Sequence, residues 1–414
     1  MPLPQGAYRP GDAHLRSPAE LAQKLVRFFI AGKRDEVSTR AVTTAPRDVR
    51  LDFFRGVALF LIFVDHIPGN VLSHFTVQSL GFSDAAEIFI FVSGYTAALV
   101  YGRAMLKQGV VIASAKVFHR VWQLYVAHIF IFLIFAALVS YNTLAFQNPA
   151  SGKELHVAKF FAEPHIAVIR ALELRFQPTF LDILPLYIVL LAGFPLVLLL
   201  LRQHVLTAVV VSFAVYFSGT NLWHFAAWLS RQSGVVLQSA WLAAPLRHRS
   251  RVRLPAVYRA PDCAAGRMAD LIGPVAMIAA ASAVIKLSWT VHDAWGPVPA
   301  ILMEQLWPID KSNLAPIRLA HFLALAVVVV RFVPAGSRFL FWRITQPINC
   351  CGQHSLQIFC LGIVLSVLGH FILTEWNDRL PAQLAVNAAG FALMIGAATL
   401  IGWYRAIDRA TAPV

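Results

Sequence analysis

Apolar runs long enough to cross a bilayer recur along most of the chain, separated by short polar stretches rich in Lys and Arg. They predict helices near 51–71, 85–106, 119–141, 179–201, 204–220, 268–290, 316–333, 354–374 and 382–405. A further span is expected near 231–250, although its apolar run, Val235–Leu246, is too short to cross at about 1.5 Å per residue. The fold class that emerges is all-α, a polytopic transmembrane helix bundle of about ten spans with one of them, around 231–250, poorly formed. Residues 1–46 read as a polar N-terminal tail, 47–405 as the integral-membrane domain and 406–414 as a C-terminal tail. No apolar stretch resembling a cleavable signal peptide lies within 1–46. The loop 142–178 has a helical pattern of its own, with Lys159, Glu163 and Arg170 set among apolar residues, and is expected to lie flat on the outer leaflet. It suits either a structural lid or a grip on a polar acceptor.

Ionisable residues are costly inside an apolar span unless they face a cavity or find partners, so they single out candidate chemistry. The first span carries Arg55 near one end and His66 near the other. Their separation of eleven residues is about three turns plus 20°, which puts both on nearly one face, about 16 Å apart along the axis. Two readings are open: a snorkelling arginine with a histidine cap, or a functional pair.

Composition agrees with the membrane reading, since 58% of the 414 residues are hydrophobic and only 14% are charged. The net charge of +14 would suggest nucleic acid in a soluble protein. Here the basic residues gather between spans, as positive-inside topology signals do. Arg103, Lys107, Lys116 and Arg120 follow the second span, Arg202 the fourth, and Arg331, Arg338 and Arg343 the eighth. Both termini are therefore expected on the cytoplasmic side, with Arg55 near the cytoplasmic face and His66 near the periplasmic face. Cys263, Cys350, Cys351 and Cys360 show neither metal spacing nor a disulfide framework.

The Arg-x10-His spacing on a first span resembles the signature of the integral-membrane type-3 acyltransferases. Longer stretches resemble one branch of them, the OpgC family: RLDFFRGVALFLIFVDHIPGN (50–70), FSDAAEIFIFVSGYTAALVYGR (82–103) and VWQLYVAHIF (121–130). The likeness continues in RFQPTFLDILPLYIVLL (175–191), WPIDKSNLAPIRLAHFLALA (307–326) and CGQHSLQIFCLG (351–362), and so covers most of 47–405. It implies a bacterial inner-membrane succinyltransferase acting on hydroxyls of osmoregulated periplasmic glucans. Succinyl-CoA would be a co-substrate rather than a tightly bound cofactor. Membrane lipid, the glucan and glucan-synthesis proteins would be partners, and nucleic acid would not. The sequence does not choose between succinyl and acetyl donors, nor between direct transfer and an acyl-enzyme.

Acyl transfer to a hydroxyl needs a base, oxyanion donors and an anchored acyl donor. His66 is the natural base. Glu87 or Asp84 would orient it, whereas its neighbour Asp65 points about 100° away on an unbroken helix. Arg55 would hold a phosphate or carboxylate of the donor, helped by Arg120 and Gln123. For those two helpers a snorkel and an interhelical hydrogen bond fit as well. Asp310, Lys311, Asn313 and Arg318, with Trp307, suit either a sugar-binding mouth or a solvated loop. Asp182, His321, His354, Gln357 and His370 complete the intramembrane polar set. Two other functions compete: a transporter or flippase for an anionic glycan or lipid, and a structural subunit that recruits synthesis proteins. Inverted repeats with paired broken helices would favour the transporter, and none is evident.

One stretch departs from the pattern. Residues 230–263 carry Arg231, Arg247, Arg249, Arg251, Arg253 and Arg259 where a span is needed. A one-base shift in permitted codons for Val235–Arg249 reads Trp-Tyr-Phe-Asn-Pro-Leu-Gly-Trp-Gln-Leu, which resembles the family at this point. The expectation is a frame-shifted stretch, with a divergent basic loop as the alternative. Resequencing codons 215–270 separates the two.

Overall fold

The computed structural model describes residues 48–145, 160, 163–176, 178, 180–203, 205–218, 271–290, 316–334 and 336–411. Among the described residues every regular element is helical. In chain order these are α1 (Val49–Asp65), α2 (Val77–Leu80), α3 (Ala85–Gln108), α4 (Val110–Ala145), α5 (Pro164–Leu172) and α6 (Ile183–Gln203). There follow α7 (Val205–Ser218), α8 (Ile272–Thr290), α9 (Pro316–Phe332), α10 (Gln346–Gln353), α11 (Ser355–Glu375) and α12 (Leu380–Thr411). Short 3-10 turns occupy Val71–Phe75 and Arg338–Phe341. Five helices, α3, α4, α6, α11 and α12, are long and apolar enough to cross a membrane. The helices α1, α7 and α9 are shorter, at 17, 14 and 17 residues. The expected span at 231–250 and the frame-shift stretch lie outside the described residues.

Local chemistry explains where the helices begin and end. Asp48 caps α1 by accepting from the Arg50 N–H, and it holds the Arg50 guanidinium at 2.8 Å. The first span was expected to run to 71, but α1 stops at Asp65, with His66 as its C-cap. Pro68 bars the helical conformation from the residue before it, and Gly69 then turns the chain at φ 74°. Helix α3 opens with a capping box in which Asp84 accepts from the Glu87 N–H and Glu87 accepts from the Asp84 N–H. Gly109, at φ 85°, separates α3 from α4. Helix α4 therefore begins at 110 rather than at 119, and its 36 residues extend over about 54 Å, well beyond a hydrocarbon core of about 30 Å. The helical pattern expected within 142–178 is present as α5.

Helix α1 is the hub, packed against α3, α10 and α11. Its crossing with α10 is closed by glycine on both sides. A Cβ at Gly56 would enter the Ile348 carbonyl, and one at Gly352 would enter the Asp52 carbonyl. Only hydrogen at these two positions lets the backbones meet. Leu59, Phe63, Phe135, Leu191, Phe359 and Ile363 fill the core between these helices, whereas Trp122, Phe130 and Leu133 on α4 face outward, as lipid contact requires. Helices α8 and α9 pair with each other.

Candidate active site

Polar groups gather at both ends of α1. At the first, Arg55 is buried and its guanidinium donates to the Thr96 hydroxyl at 2.6 Å, with longer contacts of 3.5 Å to the Val92 and Gly352 carbonyls. The α1–α10 glycine crossing thus delivers Gly352 to the arginine. Arg55, Thr96, Tyr101, Arg120 and Tyr187 line a cavity of about 140 Å³ whose far wall includes Phe89. Tyr101 and Phe89 stand twelve residues apart on α3, so the cavity follows that helix for about 18 Å. It is a narrow tube, close in volume to the engineered cavities of about 150 Å³ that admit a benzene. No carboxylate is found among the described residues that line it.

At its Tyr101 end the tube meets an open groove lined by Lys116, His119, Arg120 and Gln123. Arg120 lines both spaces and donates to Gln123 at 3.0 Å, while Gln123 bonds His119 at 3.1 Å. The two expected helpers of Arg55 are thus split between positions. Arg120 shares the tube with Arg55, and Gln123 stays in the groove.

At the second end, the His66 imidazole packs against the Phe180 ring, with centroids 4.7 Å apart. Among the described residues its buried Nδ1 has no hydrogen-bond partner, and Asp84 and Asp182 are carboxylates near enough to act on it by charge. Phe180 holds φ 77°, a conformation uncommon for a bulky residue and one that concentrates at functional sites.

The acids expected to orient His66 have other partners. One Glu87 oxygen meets Arg318 at 2.8 Å and the other accepts from the Asp84 N–H. Asp84 Oδ2 also reaches Arg318, at 3.1 Å, and Asp65 accepts from Gln78 at 3.0 Å. Arg318, expected in either a sugar-binding mouth or a solvated loop, is buried at 4% exposure and joins α9 to the start of α3 through these carboxylates. Asp310, Lys311 and Asn313, its expected companions, lie outside the described residues.

Sequence reasoning passed over two pairs. The Ser83 hydroxyl lies 2.7 Å from His321 Nδ1, with both residues buried. Asn70 and Asn387 exchange two amide hydrogen bonds of 3.0 Å each. An asparagine inside the apolar run of α12 was a visible signal, because an amide in hydrocarbon needs a partner.

Five helices long and apolar enough to cross a membrane, packed around a hub helix, define an integral membrane protein. A family model described as OpgC protein matches residues 47–406, and the chain belongs to the OpgC family. No match was found among curated proteins or among solved structures.

Proposed function

We propose that the protein is a succinyltransferase that moves a succinyl group from succinyl-CoA to glucose hydroxyls of osmoregulated periplasmic glucans. Membership of the OpgC family supports the reaction class. The observation that carries the mechanism is the tube, which shares Tyr101 and Arg120 with the basic groove and has Phe89, two residues from Glu87, in its lining. A donor with an anionic head and a slender arm fits a basic groove that leads into such a tube. Lys116 and Arg120 would hold phosphate from the groove, and Arg55 would hold a second anionic or carbonyl group further in. Leu184 lines the tube two residues after Asp182, one of the acids near His66, so the thioester is led toward the imidazole.

On this reading His66 accepts the proton of a glucose hydroxyl as the oxygen attacks the thioester carbonyl. The tetrahedral intermediate collapses, the C–S bond breaks, and the coenzyme thiolate leaves and regains a proton. Ten spans with both termini cytoplasmic complete the proposal. The 17 residues of α1 extend over about 26 Å, close to the hydrocarbon thickness, and α10 would be a half-helix that does not cross. This orientation puts the groove on the coenzyme side and His66 on the glucan side.

The test uses membranes containing the full chain, labelled succinyl-CoA and purified glucan. Wild-type protein is expected to label the glucan, and well-inserted His66→Ala protein is expected to lose that activity. Substantial labelling by His66→Ala would remove His66 as the base. Absence of labelling by the wild type would refute the reaction.

A further inference from the structure

His66 is held from an unexpected direction. Helix α1 ends one residue before it, and the last carbonyls of a helix have no partner within that helix. Here two of them are taken up by other side chains. The Ser366 hydroxyl on α11 shares its hydrogen between the Phe63 carbonyl at 3.0 Å and the Gly362 carbonyl of its own helix at 2.9 Å, and Asn70 donates to the Val64 carbonyl at 3.2 Å. Asn70 is in turn gripped by Asn387, each amide donating to the other at 3.0 Å, with both residues 1% exposed. Asn387 also donates to the Gln383 carbonyl at 2.7 Å, and the Gln383 side chain accepts from the Val71 N–H at 2.7 Å.

The contacts on α12 form one stripe. Gln383, Val386, Asn387 and Gly390 recur at three and four residues and so share a face. Gln383 meets Val71 and Asn387 meets Asn70. A Cβ on Gly390 would run into the Phe63 ring, and one on Gly369 of α11 would press Val386 and Ile67. Phe63 and Val64 before His66, and Asn70 and Val71 after it, are therefore held by α11 and α12, while among the described residues its own Nδ1 has no partner.

We infer that Asn387, acting through Asn70, is a positioning residue for His66, and that the α12 stripe is the rigid backing of the catalytic turn. This inference rests on the proposed role of His66 as base. A reciprocal pair of amides has a fixed plane and a fixed length, so it sets the turn from Val64 to Val71 to within a fraction of an ångström. Proton transfer is sensitive to displacement on that scale, and a misplacement of about 1 Å costs on the order of 100-fold in rate. Asn387 touches neither substrate on this reading, so its loss acts on turnover rather than on affinity.

The experiment compares wild type, Asn387→Ala, Asn70→Ala and the double variant, each as monodisperse full-length protein. Asn387→Ser is added in case the alanine variant does not fold. Two quantities are read: kcat and KM for succinyl transfer, and the rate at which diethyl pyrocarbonate modifies His66, followed by peptide mass spectrometry. Each single variant is expected to lower kcat by about 100-fold with KM retained, and the double variant to fall no further. His66 is expected to be modified faster in all three. Unchanged kcat, a loss expressed in KM, or losses that multiply in the double variant would overturn the inference. If the wild type transfers no succinyl group, the proposed reaction fails and the modification rate decides alone. An Asn387→Ala rate equal to wild type would then sink the positioning role.

Discussion

Replacing Arg318 by methionine tests the buried ion cluster at the His66 end of the bundle. The guanidinium is 4% exposed and serves two acids, Glu87 at 2.8 Å and Asp84 at 3.1 Å. Methionine keeps most of the side-chain length but leaves both carboxylates without their cation. Removing one partner of a buried pair costs about 3–5 kcal/mol, because the charge that remains is neither solvated nor compensated. Asp84 is 24% exposed and recovers some solvation, which puts the expected loss near the lower end, about 3 kcal/mol. That corresponds to a fall in melting temperature of about 4 °C for a domain of this size. Glu87→Gln should partly restore the Arg318→Met protein. A glutamine oxygen can still accept from the Asp84 N–H, so the capping box of α3 survives while one orphaned charge disappears. The assay is fluorescence-monitored melting of detergent-solubilised protein, with recovery of monodisperse material as a second readout. An Arg318→Met protein that melts within about 1 °C of wild type would refute the reasoning, as would a double variant less stable than the single one.

Gly352→Ala is expected to part α1 from α10 and to cost about 1–3 kcal/mol by overpacking, visible as a lower melting temperature; an unchanged value would mean that the crossing is loose. Thr96→Val removes the 2.6 Å hydrogen bond to Arg55 and should weaken donor affinity by roughly 1.5–3 kcal/mol, read as a raised KM for succinyl-CoA with kcat retained. For sidedness, a protease site placed beside Gly109 should be cut only from the cytoplasmic side, and one beside Asp378 only from the periplasmic side. The reverse pattern would put His66 in the donor compartment and undo the mechanism.

Much of this organisation was legible in the chain because a bilayer punishes polarity. Arg55 and His66 stood out as ionisable residues in an apolar run; Arg55 lies within the first half of α1 and His66 caps its C-terminus. Spans such as α6 and α11 were readable from length and composition. Helix ends were less so. The tetrapeptide from Pro68 carried the signal that stops α1, but an apolar count runs through it. The basic residues Lys116 and Arg120 disguised the first turns of α4 as a loop, when the helix simply extends out of the hydrocarbon. Pairings across the chain were not legible at all. Nothing local to Glu87 announces that Arg318, 231 residues later, pairs with its carboxylate. The same holds for Asn70 and Asn387, where each amide was visible but the match needed the fold.

The glycine crossing and the amide pair also have a consequence for the order of manufacture. Helix α1 leaves the ribosome first, yet the carbonyl that Arg55 meets belongs to Gly352, 297 residues later, and the amide that Asn70 needs is 317 residues away. At a synthesis rate of 5–20 residues per second, α1 waits roughly 15–60 s for these partners. During that interval an arginine and an asparagine sit in or beside the lipid without these two partners. A polypeptide cut short before α10 therefore contains both candidate catalytic residues and still lacks the Gly352 carbonyl beside Arg55 and the Asn387 amide that holds Asn70. Quality-control proteases and insertion chaperones should discriminate such fragments from the finished protein by the open face of α1, which only the C-terminal helices close.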